Sequence, residues 1–190
     1  MLCLTCKNLS FQIICKDCQT NLLIPSFHKR EIEDGFFNYS FYTLSELEDL
    51  ISSKYYFHGD RVFNILAKLS FAKFAQNFIF EKEVIAIPID DHVRHGYSHS
   101  AILAQATKPY LTPRYGVLRA KNDTTYSGKS KAFREQHKRD FDFTCKDVKD
   151  VILIDDIVTT GTTLKEAEEV LKKHSVRVHF ALVLADAKEN

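Results

Sequence analysis

One segment constrains the fold of this chain more than any other: Val151-Ile152-Leu153-Ile154-Asp155-Asp156-Ile157-Val158-Thr159-Thr160-Gly161-Thr162-Thr163. Its four leading apolar residues read as a strand buried on both faces, as in a parallel sheet covered by helices. Thr162–Lys173 follows with Leu164, Ala167, Val170 and Leu171 on one helical face, and Val176–Leu184 alternates and then runs apolar. Strand, loop, helix and strand in that order form a βαβ unit, so the expected fold class is α/β with a mostly parallel sheet.

The same segment carries chemistry. Ligands of open α/β sheets bind in the crevice outside the carboxyl ends of the strands. The sequence predicts that the strand stops at Ile154, letting Asp155 and Asp156 both turn to the crevice mouth. Carboxylates accept hydrogen bonds and suit the vicinal hydroxyls of a ribose. Thr159, Thr160, Gly161, Thr162 and Thr163 then offer hydroxyls and backbone N–H groups at a helix N-terminus, which favours a phosphate. Gly161 permits close backbone approach. A strand ending in acids also suits a P-loop NTPase, but the pattern Gly-x-x-x-x-Gly-Lys-Ser/Thr occurs nowhere in the chain. A buried strand with an acidic turn and a threonine helix cap is the plainest alternative. The whole series in order is much rarer than any of its parts.

The N-terminus holds a second constellation, Cys3-x-x-Cys6 and Cys15-x-x-Cys18. Two such pairs supply the four soft ligands of a closed, structural Zn²⁺ site. An iron–sulfur cluster shares the ligand set, and a redox dithiol is the rival reading. A head spanning residues 1–24 is too small to bury much core, so metal should be needed to fold it. Pro25–Gly35 reads as a polar linker, and residues 36–190 as the main domain. Five cysteines, an odd number, argue against a disulfide framework and for a reducing compartment. Cys145 reads as a small buried residue. Neither a signal peptide nor a membrane-length apolar run is visible, so the expected location is the cytoplasm, without membrane insertion.

Elsewhere the expectations are coarser. Phe36–Tyr42 has β propensity, and Ser45 with Glu48 suggests a capping box opening a helix to about Ser52. From Asp60 to Phe80, Phe63, Leu66, Ala67, Phe71, Phe74 and Phe78 form a helical core stripe. Val84–Ile89 and Tyr115–Leu118 read as strands, and Ser98–Thr107 as a helix. His95 and His99 would share a helix face near His92. The formal net charge is +1, so any polyanion must be met locally. Residues 119–139 hold seven basic against two acidic side chains, a local charge of +5. Lys129, Lys131, Arg134, Lys138 and Arg139 are candidate contacts to single-stranded DNA, with Tyr126 and Phe133 as stacking residues. A solvated helix face with a mobile loop is the alternative.

Residues 151–163 resemble the phosphoribosyl-diphosphate (PRPP) motif of type I phosphoribosyltransferases. The chain as a whole, with its four cysteines in front, resembles the ComF family of competence proteins over nearly its full length. The resemblance implies a type I phosphoribosyltransferase fold with a small N-terminal zinc-binding head. It also implies that Asp155 and Asp156, the candidate catalytic pair, hold the ribose hydroxyls, while Thr159–Thr163 hold the 5-phosphate. The diphosphate falls to the loop Pro88-Ile89-Asp90-Asp91, with Mg²⁺ carried on it. The implied role is natural transformation, handling single-stranded DNA with partners such as a DNA-translocating helicase. The alternative is an active transferase with an unidentified acceptor. A PRPP-sensing repressor is disfavoured, because no helix-turn-helix region precedes the domain. The family's Arg-Gly-Phe-Asn-Gln stretch reads His95-Gly96-Tyr97-Ser98-His99 here, and Tyr126 stands where a Gln is expected, although Arg134 matches an expected Arg. Thr159 occupies the position of an acid in hypoxanthine-type enzymes, whereas orotate-type enzymes carry Thr there.

Overall fold

A computed structural model describes residues 1–90, 92–93, 95–121 and 139–188. The apolar runs named above become the centre of a six-stranded sheet. Its strands are β1 (His28–Glu33), β2 (Phe36–Thr43), β3 (Ile85–Pro88), β4 (Thr112–Pro113), β7 (Asp150–Val158) and β8 (Arg177–Asp186). They lie in the order β1-β2-β8-β7-β3-β4, with only β1–β2 antiparallel. A two-stranded sheet pairs β5 (Leu118–Ala120) with β6 (Phe141–Phe143). The helices are α1 (Lys16–Asn21), α2 (Leu44–Ile51), α3 (Gly59–Leu69), α4 (Phe71–Asn77), α5 (His99–Gln105) and α6 (Thr162–Lys173), and a 3₁₀ turn at Ser52–Tyr55 follows α2. The expected α/β class with a mostly parallel sheet is what the chain adopts.

Alternating side chains of β7 feed two cores. Ile152 and Ile154 pack with Val62, Phe63, Leu66 and Leu103 on one face. Val151 and Leu153 pack with Leu164, Ala167 and Leu171 of α6 on the other. Cys3, Ile13, Ile14 and Cys18 of the head belong to the first core, together with Leu23, Phe41 and Tyr42. Inside the head, Leu2 bridges Leu9, and Cys15 caps α1 by accepting the Cys18 N–H at its sulfur.

Several expectations are corrected. The supposed linker contains β1, whose alternating exposed and half-buried residues mark an edge strand. The capping box is built on Thr43 and Glu46, so α2 starts earlier than Ser45. The long stripe is two helices broken at Ser70, whose hydroxyl donates to the Leu66 carbonyl at 2.6 Å. The strand expected over Tyr115–Leu118 is displaced to Leu118–Ala120. Most consequentially, β7 runs on to Val158 because β8 pairs with it through Asp186. The two acids therefore sit within a strand. Among the described residues, no helix is long and apolar enough to cross a membrane.

Candidate functional site

A cleft of about 490 Å³ opens at the carboxyl ends of β3 and β7, lined among others by Lys54, Ile89, Asp90, Arg139, Asp155, Asp156 and Thr159–Thr163. All the expected ribose-phosphate residues meet there. Because the acids are carried on a strand, they meet different neighbours. Asp156 accepts from Lys54 Nζ at 3.0 Å, with side-chain exposures of 9% and 18%. His99 Nε2 stands 3.6 Å from the same Oδ2. Asp155 accepts the Asp156 N–H at 2.9 Å and faces the Arg139 charge.

The electrostatics split the pair. Burial and the Asp156 charge push Asp155 well above the usual carboxylate range, and Arg139 only partly offsets them. Burial also penalises charge at Asp156, but Lys54 and His99 outweigh it and hold that carboxyl below its ordinary range. Burial likewise opposes the Lys54 ammonium, and its attraction to Asp156 more than compensates, leaving its pKa raised. The same cleft thus drives the two neighbouring acids in opposite directions, Asp155 upward and Asp156 downward.

The threonine turn has the form expected of an anion cradle. Gly161 sits at φ +86° and precedes α6 with no side-chain cap bond. The first N–H groups of a helix have no acceptor within the helix, and here the Thr162 N–H donates to Thr160 Oγ1 at 3.4 Å. Thr160 and Thr162 share a hydroxyl–hydroxyl bond of 2.9 Å, which orders the cradle's side chains.

The opposite wall differs from the expectation. Ile89 is a buried apolar wall residue whose N–H donates to the Ile154 carbonyl. Asp90, at φ +49°, turns its carboxylate onto cationic and N–H groups. It accepts from Arg139 Nη1 at 2.9 Å and from the Ala120 N–H at 3.2 Å, with His92 Nε2 at 3.3 Å. The Asp90 side chain thereby ties Arg139, His92 and the Ala120 N–H together on this wall of the cleft. Arg139, expected at a DNA surface, lines this cleft, and its N–H donates to Glu166 at 2.9 Å. His95 lies in a turn at φ +54° and does not share a helix face with His99, although both line the cleft. Asp91 and residues 122–138, with Tyr126, Lys129, Lys131, Phe133, Arg134 and Lys138, lie outside the described residues.

Lys54 escaped the sequence reading entirely. Its partner lies 102 residues away, and a lone lysine after an amphipathic helix carries no local signal. A second cleft of about 280 Å³ lies against Arg30, Tyr42 and Asp186.

In the head, the sulfurs of Cys3 and Cys18 are 3.9 Å apart and those of Cys6 and Cys15 are 3.8 Å apart; all four lie within 4.8 Å of one another. Four thiolates at about 2.3 Å from one tetrahedral ion stand about 3.8 Å apart, so the donor set fits a single ion. Burial opposes a thiolate at Cys3, yet the N–H groups of Cys15, Cys6 and Thr5 outweigh it and lower its pKa to about 6. Burial and the neighbouring sulfurs push Cys18 upward.

Comparison with curated proteins finds no match. Two crystal structures of a hypoxanthine phosphoribosyltransferase from Staphylococcus aureus match at 17% and 18% identity, with TM-scores of 0.41 and 0.40. Each alignment covers 67% of this chain, and this chain spans 64% and 67% of those two. A family model described as the phosphoribosyl transferase domain matches residues 56–190, most of the chain and nearly all of the cleft's lining. On that match, this chain belongs to the phosphoribosyl transferase domain family.

Proposed function

We propose that the chain binds PRPP with Mg²⁺ in the cleft at the carboxyl ends of β3 and β7. The observation that supports this most is the convergence of the Asp155–Asp156 pair with the Thr159–Thr163 turn at the N-terminus of α6 in one cavity. In this reading the turn and the N-terminus of α6 hold the 5-phosphate. Asp155 and Asp156 accept hydrogen bonds from the ribose hydroxyls. Arg139 and His92, positioned by Asp90, face the diphosphate. Mg²⁺ would arrive on the diphosphate, whose charge it partly neutralises. Lys54 keeps Asp156 ionised so that it can accept.

The four cysteines hold a structural Zn²⁺, since their spacing suits one ion better than a multi-iron cluster. The resemblance to the ComF competence family extends the reading to a cytoplasmic role in natural transformation. There the chain handles single-stranded DNA beside partners such as a translocating helicase. Lys129, Lys131, Arg134 and Lys138 remain the proposed DNA contacts, while Arg139 is reassigned to the cleft.

Phosphoribosyl transfer to an acceptor is the second reading. Tyr55 favours it, because it lines the cleft and is half-exposed beside the exposed Tyr56 and Phe57. Such rings suit a flat heteroaromatic acceptor. Calorimetric titration with PRPP–Mg²⁺ tests the first reading, and saturable binding is expected. Diphosphate release on adding nitrogen heterocycles tests the second. Absence of PRPP binding overturns both.

A further inference from the structure

The matched family domain begins at residue 56, yet the strand β1, well upstream of it, touches the threonine turn at successive points. Arg30 Nη2 donates to the Thr159 carbonyl at 3.1 Å. Its Nε donates to Asp186 Oδ2 at 2.6 Å, and the two side chains are 12% and 7% exposed. Asp186 is itself held, since its Oδ1 accepts the Lys188 N–H at 2.8 Å and the neighbouring Ala187 N–H donates to the Val158 carbonyl. Two residues along β1, on the same inward face, Ile32 packs against Gly161. A Cβ at that glycine would stand 2.9 Å from two Ile32 carbons. Lys165 of α6 pairs with Glu33 at the strand's end.

Arg30 and Ile32 thus reach from one β-strand to one turn, and Arg30 and Thr159 are 129 residues apart in the chain. The guanidinium does two jobs with one planar fork, joining the end of β8 to the carbonyl that opens the turn. A lysine ammonium is a point charge without that geometry. We propose that Arg30 is a positioning residue for the 5-phosphate turn, so that the β1–β2 hairpin completes the phosphate site from outside the family domain. The inference rests on reading Thr159–Thr163 as the 5-phosphate cradle. Arg30 does not touch the ligand. It fixes where the Thr159 carbonyl lies, and with it the direction of the N–H groups that follow.

The test separates the two halves of the cleft. Affinities of ribose 5-phosphate and of Mg²⁺–pyrophosphate are measured by calorimetry on wild type and Arg30→Lys, with thermal melting alongside. Charged hydrogen bonds of this kind set an expected loss on the order of tenfold for ribose 5-phosphate. Pyrophosphate, bound at the Asp90 side, should stay within about twofold by the same accounting, because among the described residues the Arg30 side chain bonds to Asp186 and Thr159, away from that wall. A general loosening would weaken both ligands together, and that result, or ribose 5-phosphate binding unchanged, overturns the proposal. Should Arg30→Lys fail to fold, Asp186→Asn loosens the same fork and must give the same split. If wild type binds pyrophosphate but not ribose 5-phosphate, the cradle reading itself is wrong. If it binds neither, the proposed function falls with it.

Discussion

Replacing Lys54 by methionine should turn the Asp156 clamp into a pH-dependent defect. In the native cleft the ammonium lies 3.0 Å from a carboxylate that is 9% exposed. Removing one partner of a buried pair strands the other charge and costs about 3–5 kcal/mol. Lys54 is 18% exposed, and His99 Nε2 lies 3.6 Å from the same oxygen, so the low end, about 3 kcal/mol at pH 7, is expected. The sign with pH follows from the two states. In the native protein the folded pKa of Asp156 is depressed, so its contribution is present above the unfolded value of about 3.9 and is lost as pH falls through the folded one. In the variant, burial and any charge on Asp155 raise the Asp156 pKa instead. Its uptake of a proton on acidification then relieves the stranded charge, and a protonated His99 acts in the same direction. The stability gap between native protein and variant should therefore narrow from pH 7 to about pH 4.5. Urea denaturation at the two pH values measures it. A gap below about 1 kcal/mol at pH 7, or one that does not change with pH, would refute the idea that Lys54 holds Asp156 ionised.

Asp155 makes a separate prediction. Burial and the Asp156 charge raise its pKa, whereas ribose hydroxyls donating to it favour the carboxylate. PRPP–Mg²⁺ binding should therefore tighten as pH rises through the pKa of Asp155, with proton release in that range seen as a binding heat that depends on the buffer's ionisation enthalpy. The cysteine head should carry one Zn²⁺ per chain by elemental analysis. Because Cys3 and Cys18 share a core with Phe41 and Tyr42, Cys3→Ser should lower the melting temperature of the whole chain by about 5 °C or more; an unchanged melt with metal lost would make the head an independent unit. Single-stranded DNA binding should weaken steeply with salt, and alanine at Lys129, Lys131, Arg134 and Lys138 should flatten that slope in a fluorescence-anisotropy titration. An unchanged slope would place DNA binding elsewhere.

What was legible in the sequence is what is local. The span of α6, the buried start of β7 and the threonine turn between them are contiguous, and each residue's neighbours in sequence are its neighbours in space. What was missed depends on distant pairing. His28–Glu33 reads as a polar linker because an edge strand hides only alternate residues, and its role appears once Arg30 meets Asp186 and Thr159. The strand end was misplaced at Ile154 because acids seldom continue a buried strand. Here β8 supplies pairing through Asp186, and Lys54 supplies the countercharge. Arg139 looked like part of a basic surface until Asp90 drew it into the cleft. Charge counts along the chain do not reveal which side chains are already paired.

Asp155, Asp156 and the threonine turn together make up the proposed ribose-phosphate site. The most direct measurement is calorimetric titration of PRPP–Mg²⁺ into wild type and into the Asp155→Asn, Asp156→Asn double variant, with circular dichroism confirming that both are folded. Hydrogen bonds to charged groups contribute about 1.5–3 kcal/mol each, so the double variant should bind at least about tenfold more weakly, or not measurably. Wild-type affinity in a folded double variant would contradict the assignment of these two acids to the ribose.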